Sequence, residues 1–186
     1  MLEREGYAPV RYFLEMVRPD LENIPDCPLP PGLEVRPVRP EHYRAIWEAN
    51  EEAFRDHWSH VSYSEEDYEY WLHGDPEFQP DIWTVGWDVE SNQVAGMVLG
   101  FILEEQNAKF NRKRGWTADI CVRRPWRTRG LAHALIAGNL RALKAHGMAE
   151  AALSADAENL SGALRLYESM GFRTVKRDAV YRKPMK

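Results

Sequence analysis

The sequence predicts an α/β fold of the α+β type, with a mixed, mostly antiparallel central sheet flanked by about four helices. Two observations support this prediction. Strand-like and helix-like segments alternate along the chain, and at Gly130 the hydrophobic period changes from that of a strand to that of a helix. The length of 186 residues fits one domain with a small appendage, and 44% hydrophobic and 28% charged residues are typical of a globular protein.

Six segments before Gly130 carry strand or helix signals. They predict a strand, two helices and three strands at residues 33–38, 40–54, 64–72, 82–89, 93–103 and 116–122. Pro40 suits the first turn of a helix, and Ser64 with Asp67 resembles a capping box for the second. Segment 93–103 is apolar on both faces, which predicts a central strand.

The remaining segments complete the predicted sheet. Residues 130–146 predict an amphipathic helix that Gly147 ends, and 150–155 predict a strand. A second apolar stripe at helical spacing runs from Leu160 to Met170 and stops at Gly171. Residues 172–176 and 179–182 predict two closing strands.

The first 32 residues differ from the rest of the chain. Residues 19–32 contain five prolines and predict a linker, which leaves 33–186 as the domain. Residues 3–11 share an order of acidic, glycine, aromatic, valine and basic positions with residues 168–176. Residues 1–18 are therefore predicted to be a strand pair resembling the tail of a preceding copy of the domain, with an unrelated strand pair as the alternative.

Composition and charge exclude several classes of protein. With 24 Lys+Arg and 29 Asp+Glu, the net charge of −5 argues against a nucleic-acid partner. No apolar run approaches the ~20 residues of a membrane span, and the charged N-terminus does not resemble a secretory signal. Cys27 and Cys121 are far apart and lack nearby histidines, so we expect no metal site and a cytoplasmic location.

The junction at residues 120–132 carries the chemistry. A strand ends, a basic loop follows, and a helix begins at Gly130 with small residues in its first turn. Free N–H groups at a helix N-terminus suit a phosphate, and four arginines surround this turn: Arg123, Arg124, Arg127 and Arg129. The sequence therefore predicts a phosphorylated ligand here, with a solvated loop as the alternative; neither a P-loop nor a Rossmann motif is present.

The residues of this junction resemble those of a known family. Arg127-x-x-Gly130-x-Ala132, after a strand and before an amphipathic helix, is similar to the [QR]-x-x-G-x-[GA] signature of the GNAT superfamily of N-acetyltransferases. Asn159, Tyr167 and Gly171-Phe172 follow at the separation of the superfamily's second landmark. The resemblance covers residues 33–186 and implies the GNAT fold, and the likeness at residues 3–11 suggests the C-terminal half of a tandem GNAT protein.

The resemblance implies acetyl-CoA as the acyl donor. The N–H groups implied to hold its pyrophosphate belong to Arg127, Thr128, Arg129, Gly130, Leu131 and Ala132. It also implies that Ile120 and Val122 lie on a splayed strand beside the pantetheine arm, and that Asn159 touches this arm. Tyr167 corresponds to a tyrosine that protonates the leaving thiolate. The alternatives are a helix cap for Asn159 and a buried core tyrosine for Tyr167.

The general base is less clearly marked. Asp119 precedes the pyrophosphate loop, in a region where family members carry a carboxylate base, and Glu104 at the end of the preceding predicted strand is the second candidate. Glu105, His57 and His60 stay open as further candidates. Each of these side chains has the alternative of an ordinary solvated surface group.

The acceptor is predicted from the family and from the aromatic residues. In this family the acceptor pocket lies near the first two helices, and this stretch is rich in aromatic side chains: Trp47, Phe54, Trp58, Tyr63, Tyr68, Tyr70 and Trp71. They predict either core packing or a pocket for an apolar or cationic amine. We expect acetyl transfer to a small-molecule primary amine; a non-catalytic CoA-binding module and a peptide acetyltransferase are alternatives, and a homodimer is left open.

Overall fold

The computed structural model describes residues 2–58, 60–158 and 162–183. These ranges form a mixed α/β fold of nine strands and five α-helices. The strands are β1 (Ala8–Arg18), β2 (Leu33–Val35), β3 (Thr84–Asp88), β4 (Val94–Val98), β5 (Phe101–Ile102), β6 (Arg114–Trp116), β7 (Cys121–Val122), β8 (Glu150–Asp156) and β9 (Arg173–Arg182). The helices are α1 (Tyr43–Phe54), α2 (Glu65–His73), α3 (Glu104–Phe110), α4 (Leu131–Ala145) and α5 (Ala163–Ser169).

The strands are divided between two sheets. One contains five strands in the order β5-β6-β8-β1-β9, and the other contains four in the order β2-β3-β4-β7. Neighbouring strands are antiparallel except β6 and β8, which are parallel. The predicted mixed, mostly antiparallel arrangement is therefore confirmed, but it is distributed over two sheets instead of one.

The sheet divides because two predicted strands are interrupted at the same level. Segment 93–103 breaks at Leu99 and Gly100 to give β4 and β5, and segment 116–122 breaks to give β6 and β7, so the prediction of two continuous strands is wrong. Asp119 has φ 44°, a left-handed conformation that no extended strand contains. The N–H of Leu99 donates to the Ala118 carbonyl at 2.9 Å, which joins the two breaks.

The chain termini form the outer part of the larger sheet. The predicted C-terminal strand pair is one continuous strand, β9, and the predicted N-terminal pair is a short 3₁₀-helix at Leu2–Glu5 followed by β1. These two predictions are wrong because each run stays paired throughout: β1 lies between β8 and β9, and Phe13 is opposite both Asp156 and Asp178. That β1 is the tail of a preceding copy stays a prediction.

The proline-rich segment 19–32 contains no helix or strand, as expected of it, but it packs against the domain. Leu21 is only 2% exposed within the main core. Arg18 at the end of β1 donates to the carbonyls of Asp20 and Asn23, each at 2.9 Å. Arg141 of α4 donates to the carbonyl of Pro25. These contacts hold the segment on the surface of α4.

Helix α3 has no counterpart in the sequence prediction. Its seven residues make fewer than two turns, so the sequence shows no apolar stripe at helical spacing there. The buried amide of Asn107 fixes α3 to β6, since it donates to the Arg114 carbonyl at 2.9 Å and accepts from the Arg114 N–H at 3.1 Å. Glu104 consequently lies in the first turn of a helix and not at the end of a strand.

Strand β4 separates two hydrophobic clusters, which confirms that this part of segment 93–103 is buried on both faces. Ala95 and Val98 join the cluster of α4, whereas Val94 and Met97 join an aromatic cluster with α1 and α2. Gly96 allows α4 to approach closely, because a Cβ there would lie 3.2 Å from Leu135 and 2.7 Å from the Cys121 carbonyl. The site described below lies where β4 meets its neighbours.

Removing the side chain of Met16 tests whether β1 is part of the folded core. Met16 is fully buried, so we expect Met16→Ala to lower the free energy of unfolding by about 2–5 kcal/mol, measured by urea denaturation. Val10→Ala is the control, because Val10 lies on the same strand and is 40% exposed. Equal, small losses for both variants would contradict the placement of β1 in the core.

Candidate active site

The loop between β7 and α4 exposes backbone N–H groups. It contains two left-handed residues, Thr128 with φ 61° and Gly130 with φ 88°. No hydrogen bond from the N–H groups of residues 128–130 is found within the described part of the chain. A Cβ at Gly130 would meet nothing within 4 Å, so the space in front of this helix N-terminus is open. Free N–H groups and open space together suit an anionic ligand.

Two of the four predicted phosphate-binding arginines are engaged elsewhere. Arg123 forms an ion pair with Glu52 of α1 at 2.6 Å, and Arg124 pairs with Asp56. All four arginines lie near the turn as expected, but two of them already have carboxylate partners. Arg127 and Arg129 are exposed, and they donate to the carbonyls of Val122 and Pro31 without any ion pair among the residues that the structure describes.

Trp126 anchors this loop to the fold. Its side chain is buried, and its indole N–H donates to Asp88 at the end of β3 at 3.0 Å. The guanidinium of Arg123 lies over the Trp126 ring, 5.3 Å from its centroid. The loop therefore starts from a fixed point, although its tip remains exposed.

A cavity opens beyond the end of β6, where the chain that continues into β7 separates from β8. The last hydrogen bond between this chain and β8 runs from the N–H of Thr117 to the Ala152 carbonyl, at 2.8 Å. Beyond this bond lies a space of about 510 Å³, which we call the splay cavity. Ile120 lies on one side and Ser154 to Asp156 lie on the other. Val122 is half-buried in β7, paired with Gly96 of β4.

Tyr167 of α5 lines the splay cavity. It is 8% exposed, and its ring packs edge-on against Phe172 with centroids 6.5 Å apart. Burial raises the pKa of the Tyr167 hydroxyl to about 12, and the nearby Cys121 thiol adds to this shift. The phenol therefore stays protonated at neutral pH. Cys121 is a buried free cysteine, and burial raises its pKa to about 12 as well.

Asp119 belongs to the walls of two cavities. Its carboxylate faces open space, yet protein surrounds it on the other sides, and this desolvation raises its pKa. The side-chain amide of Asn50 on α1 donates to it at 2.9 Å, which opposes the shift by stabilising the charged form. A carboxylate with a raised pKa in a cleft is suited to accept a proton.

The second cavity, of about 260 Å³, shares Asp119 and Phe101 with the splay cavity. We call it the aromatic cavity. Its ring-bearing walls come from α1, α2 and the adjoining segments: Trp47, Tyr63, Tyr70, Trp71, Trp83 and Phe101. Four members of the aromatic stretch therefore face this space, whereas Tyr68 is buried in the aromatic cluster and Trp58 packs near Phe13, with ring centroids 6.3 Å apart.

The remaining predicted residues divide into four groups. Glu104 and Glu105 are exposed on α3 and line neither cavity, because this segment is a helix and not a strand. His57 lines the splay cavity, and the ring of His60 lies against Tyr63, with centroids 5.9 Å apart. Asn159 lies outside the described residues. Leu131 is buried and Ala132 half-buried at the start of α4.

Sequence reasoning missed three residues of these walls. Asn50 lies on the polar side of α1 and contacts Asp119 only through the fold, with 69 positions between them. Glu77 lies in an irregular loop and lines both cavities. Thr117 lines the splay cavity with its hydroxyl buried and unpaired in the described structure. Thr117 lies two positions before Asp119 in the sequence, and this closeness to a candidate base could have drawn attention to it.

These features define a class of protein: one with an exposed helix N-terminus beside a splayed sheet. The family model of the Acetyltransferase (GNAT) family matches residues 43–172. The chain is 32% identical to a mycothiol acetyltransferase of Streptomyces bingchenggensis over 161 residues, which are 86% of this chain and 49% of that protein. The chain belongs to the GNAT family of acetyltransferases.

Solved structures agree with this assignment. The GCN5-related N-acetyltransferase from Sphaerobacter thermophilus has a TM-score of 0.79 and 31% identity, over 98% of this chain and 54% of that one. The NatC complex bound to Gag peptide and CoA has a chain with a TM-score of 0.61 and 25% identity, over 77% of this chain and 86% of that one. This chain spans about half the length of the curated mycothiol acetyltransferases that it matches.

The described residues contain neither a metal-binding cluster nor a helix able to cross a membrane. Residues 2–58, 60–158 and 162–183 contain no group of three or more His, Cys, Asp or Glu side chains arranged to hold a metal ion. Over the same ranges, every helix is too short or too polar to cross a membrane.

Asp119→Asn tests the electrostatics of the shared wall. Because the folded protein holds the Asp119 proton at pH values where the unfolded chain has released it, wild-type stability falls as the pH rises through the raised pKa. Asn tolerates the left-handed conformation and carries no charge, so the variant should be more stable than wild type at neutral pH. The difference should vanish below pH 3.8, the ordinary pKa of the group.

The measurement is urea denaturation of both proteins at several pH values. Asp81→Asn, at an exposed aspartate outside both cavities, is the matched control. A stability difference that is independent of pH, or one that favours wild type at neutral pH, would contradict the raised pKa.

Proposed function

We propose that the chain transfers the acetyl group of acetyl-CoA to a primary amine of a small molecule. One observation carries this proposal: Asp119 and Tyr167 line the same splay cavity, which begins where the sheet divides. A proton acceptor and a proton donor at one open space are the two groups that acyl transfer to an amine requires. Family membership supports the reaction class, since the matched family is one of acetyltransferases.

The fit of the coenzyme to this chain rests on the loop before α4. The pyrophosphate would accept hydrogen bonds from the N–H groups of residues 127–132, with Arg127 and Arg129 adding charge. Ile120 and Val122 would flank the pantetheine arm, which enters the space that β8 leaves free. Asn159 is proposed as a further contact to this arm. The free N–H groups and the open space at Gly130 support this placement.

The proposed chemistry is direct transfer. The amine nitrogen attacks the thioester carbonyl carbon, a C–N bond forms, and the C–S bond breaks. Asp119 accepts the proton that the amine must lose, directly or through water, and Asn50 orients its carboxylate. Tyr167, protonated because its pKa is about 12, donates a hydrogen bond and then its proton to the leaving sulfur. No covalent intermediate with the protein is required.

A peptide acetyltransferase is the second candidate. The similarity to a chain of the NatC complex, which was solved with a Gag peptide and CoA, favours it. The small volume of the aromatic cavity, about 260 Å³, favours a small acceptor instead. We also propose a cytoplasmic location, which the two free cysteines support because a reducing compartment keeps thiols unpaired.

Measuring thioester turnover tests the proposed reaction. Purified protein with acetyl-CoA should release free CoA thiol when small primary amines are added, and mass spectrometry should detect the N-acetylated product. Tyr167→Phe should lower kcat by about 100-fold with little change in acetyl-CoA binding, because it removes only the proton donor. Tyr7→Phe, at an exposed tyrosine outside both cavities, is the control.

Three outcomes decide among the candidates. Binding of acetyl-CoA without turnover for any amine or peptide would favour the non-catalytic alternative. Turnover with peptides and not with small amines would favour the second candidate. Unchanged kcat in Tyr167→Phe would remove Tyr167 from the mechanism.

The two unpaired arginines have a separate test. The double variant Arg127→Gln with Arg129→Gln should weaken CoA binding about tenfold, since each exposed guanidinium adds a charge-assisted hydrogen bond to phosphate. Arg124→Gln is the control because Arg124 is paired with Asp56. Isothermal titration calorimetry with CoA at two salt concentrations measures both. An equal loss in the control would contradict the distinction between paired and unpaired arginines.

A further inference from the structure

The aromatic cavity combines rings with carboxylates and has no basic side chain. Five acidic residues line it: Glu51, Asp67, Asp75, Glu77 and Asp119. They come from α1, α2, the loop after α2 and the strand break, so the fold gathers them from distant parts of the chain. Lysine, arginine and histidine are absent from its lining. The cavity thus has a strongly negative wall beside the reaction centre.

None of these five carboxylates forms an ion pair within the described residues. Neighbouring carboxylates behave differently: Glu52 on α1 pairs with Arg123, and Asp56, just beyond the end of α1, pairs with Arg124. Glu51 is adjacent to Glu52 in sequence, yet it lines the cavity without a cation. The charge on the cavity side of α1 is therefore left without a counterion from the protein.

Burial and neighbouring negative charge raise the pKa of two groups in the wall, whereas hydrogen bonds from Ser64 lower the pKa of Asp67. Burial raises the pKa of Glu77, and the charges of Asp75 and Asp119 raise it further. Burial likewise raises the pKa of the Tyr63 hydroxyl, with added contributions from the carboxylates of Asp119, Asp67 and Glu51. A bound cation would relieve this repulsion.

The rings suit a cation in the same space. Trp47 lies with its ring centroid 5.1 Å from that of Tyr63 and 5.2 Å from that of Trp71, which makes a wall of aromatic faces and edges. Ammonium groups are attracted to such faces, most strongly to tryptophan. Trp83, which is only 7% exposed and lines the cavity, has an indole N–H without a partner in the described structure. This N–H is a donor, so it is available to an acceptor atom of a ligand and not to the ammonium group itself.

We propose that the acceptor is a diamine, with one amino group at Asp119 in the splay cavity and a second, ammonium group in the aromatic cavity. The proposal rests on the proposed function, because it assigns the shared wall at Asp119 to the reacting amine. The second ammonium lies among Glu51, Asp67 and the Trp47 ring, where the wall carries charge and no counterion. A monoamine would leave the carboxylates of the aromatic cavity without a counterion, so the site should select a diamine over a monoamine.

A matched pair of ligands tests this assignment. Isothermal titration calorimetry of the CoA-loaded protein compares putrescine, a four-carbon diamine, with n-butylamine. Putrescine should bind about tenfold more tightly, because its second ammonium gains charge and cation–π contacts. Glu51→Gln should reduce this preference at least threefold. Glu48→Gln, at an exposed position one turn earlier on α1, should leave the preference unchanged.

The outcomes separate this proposal from the reaction itself. Equal affinity for the two amines, or a preference that Glu51→Gln does not alter, would overturn the proposal. Tighter binding of glucosamine or of a short peptide than of putrescine would also overturn it. If putrescine binds selectively but no amine is acetylated in the turnover assay, the ammonium site stands and the proposed function fails. If amines are acetylated with no preference for diamines, the proposed function stands and the ammonium site fails.

Discussion

Between Leu99 and Ala118, one backbone hydrogen bond of 2.9 Å spans the level at which the sheet divides. On one side of this bond β5 pairs with β6, and on the other side β4 pairs with β7. The pairing shifts by one residue across this level, because three residues separate Met97 from Phe101 whereas four separate their partners Cys121 and Trp116. The extra residue lies in the segment that contains Asp119, where β7 turns away from β8. The splay cavity, the placement of Ile120 and the exposure of Asp119 all follow from this double interruption.

The two sides of this division carry charge of opposite sign. The net charge is −5, and the aromatic cavity concentrates unpaired carboxylates at one side of Asp119. The loop before α4 instead exposes N–H groups with Arg127 and Arg129. Helix α1 contributes to both sides, since its Glu52 pairs with Arg123 while its Asn50 and Glu51 line the cavity. An anionic donor and a cationic acceptor would therefore approach Asp119 from different directions.

How far the sequence predicts this site depends on the range of each interaction. Gly130 and the helix that follows it are local features, so their pattern was sufficient to predict the exposed helix N-terminus. Tyr167, which lines the splay cavity, was singled out by a motif on one helix. The left-handed conformation of Asp119 depends on partners in another strand, and the alternating pattern at residues 116–122 concealed it. Helix α3 is too short to show a period, and this led to the misplacement of Glu104.

The central claim is that the division between β7 and β8 receives the coenzyme arm. A crystal structure of the protein with bound CoA tests it most directly. We predict that the pyrophosphate lies against the N–H groups of residues 127–132, with the thiol end in the splay cavity near Tyr167. CoA bound elsewhere, or β7 and β8 paired along their full length in the complex, would contradict the account.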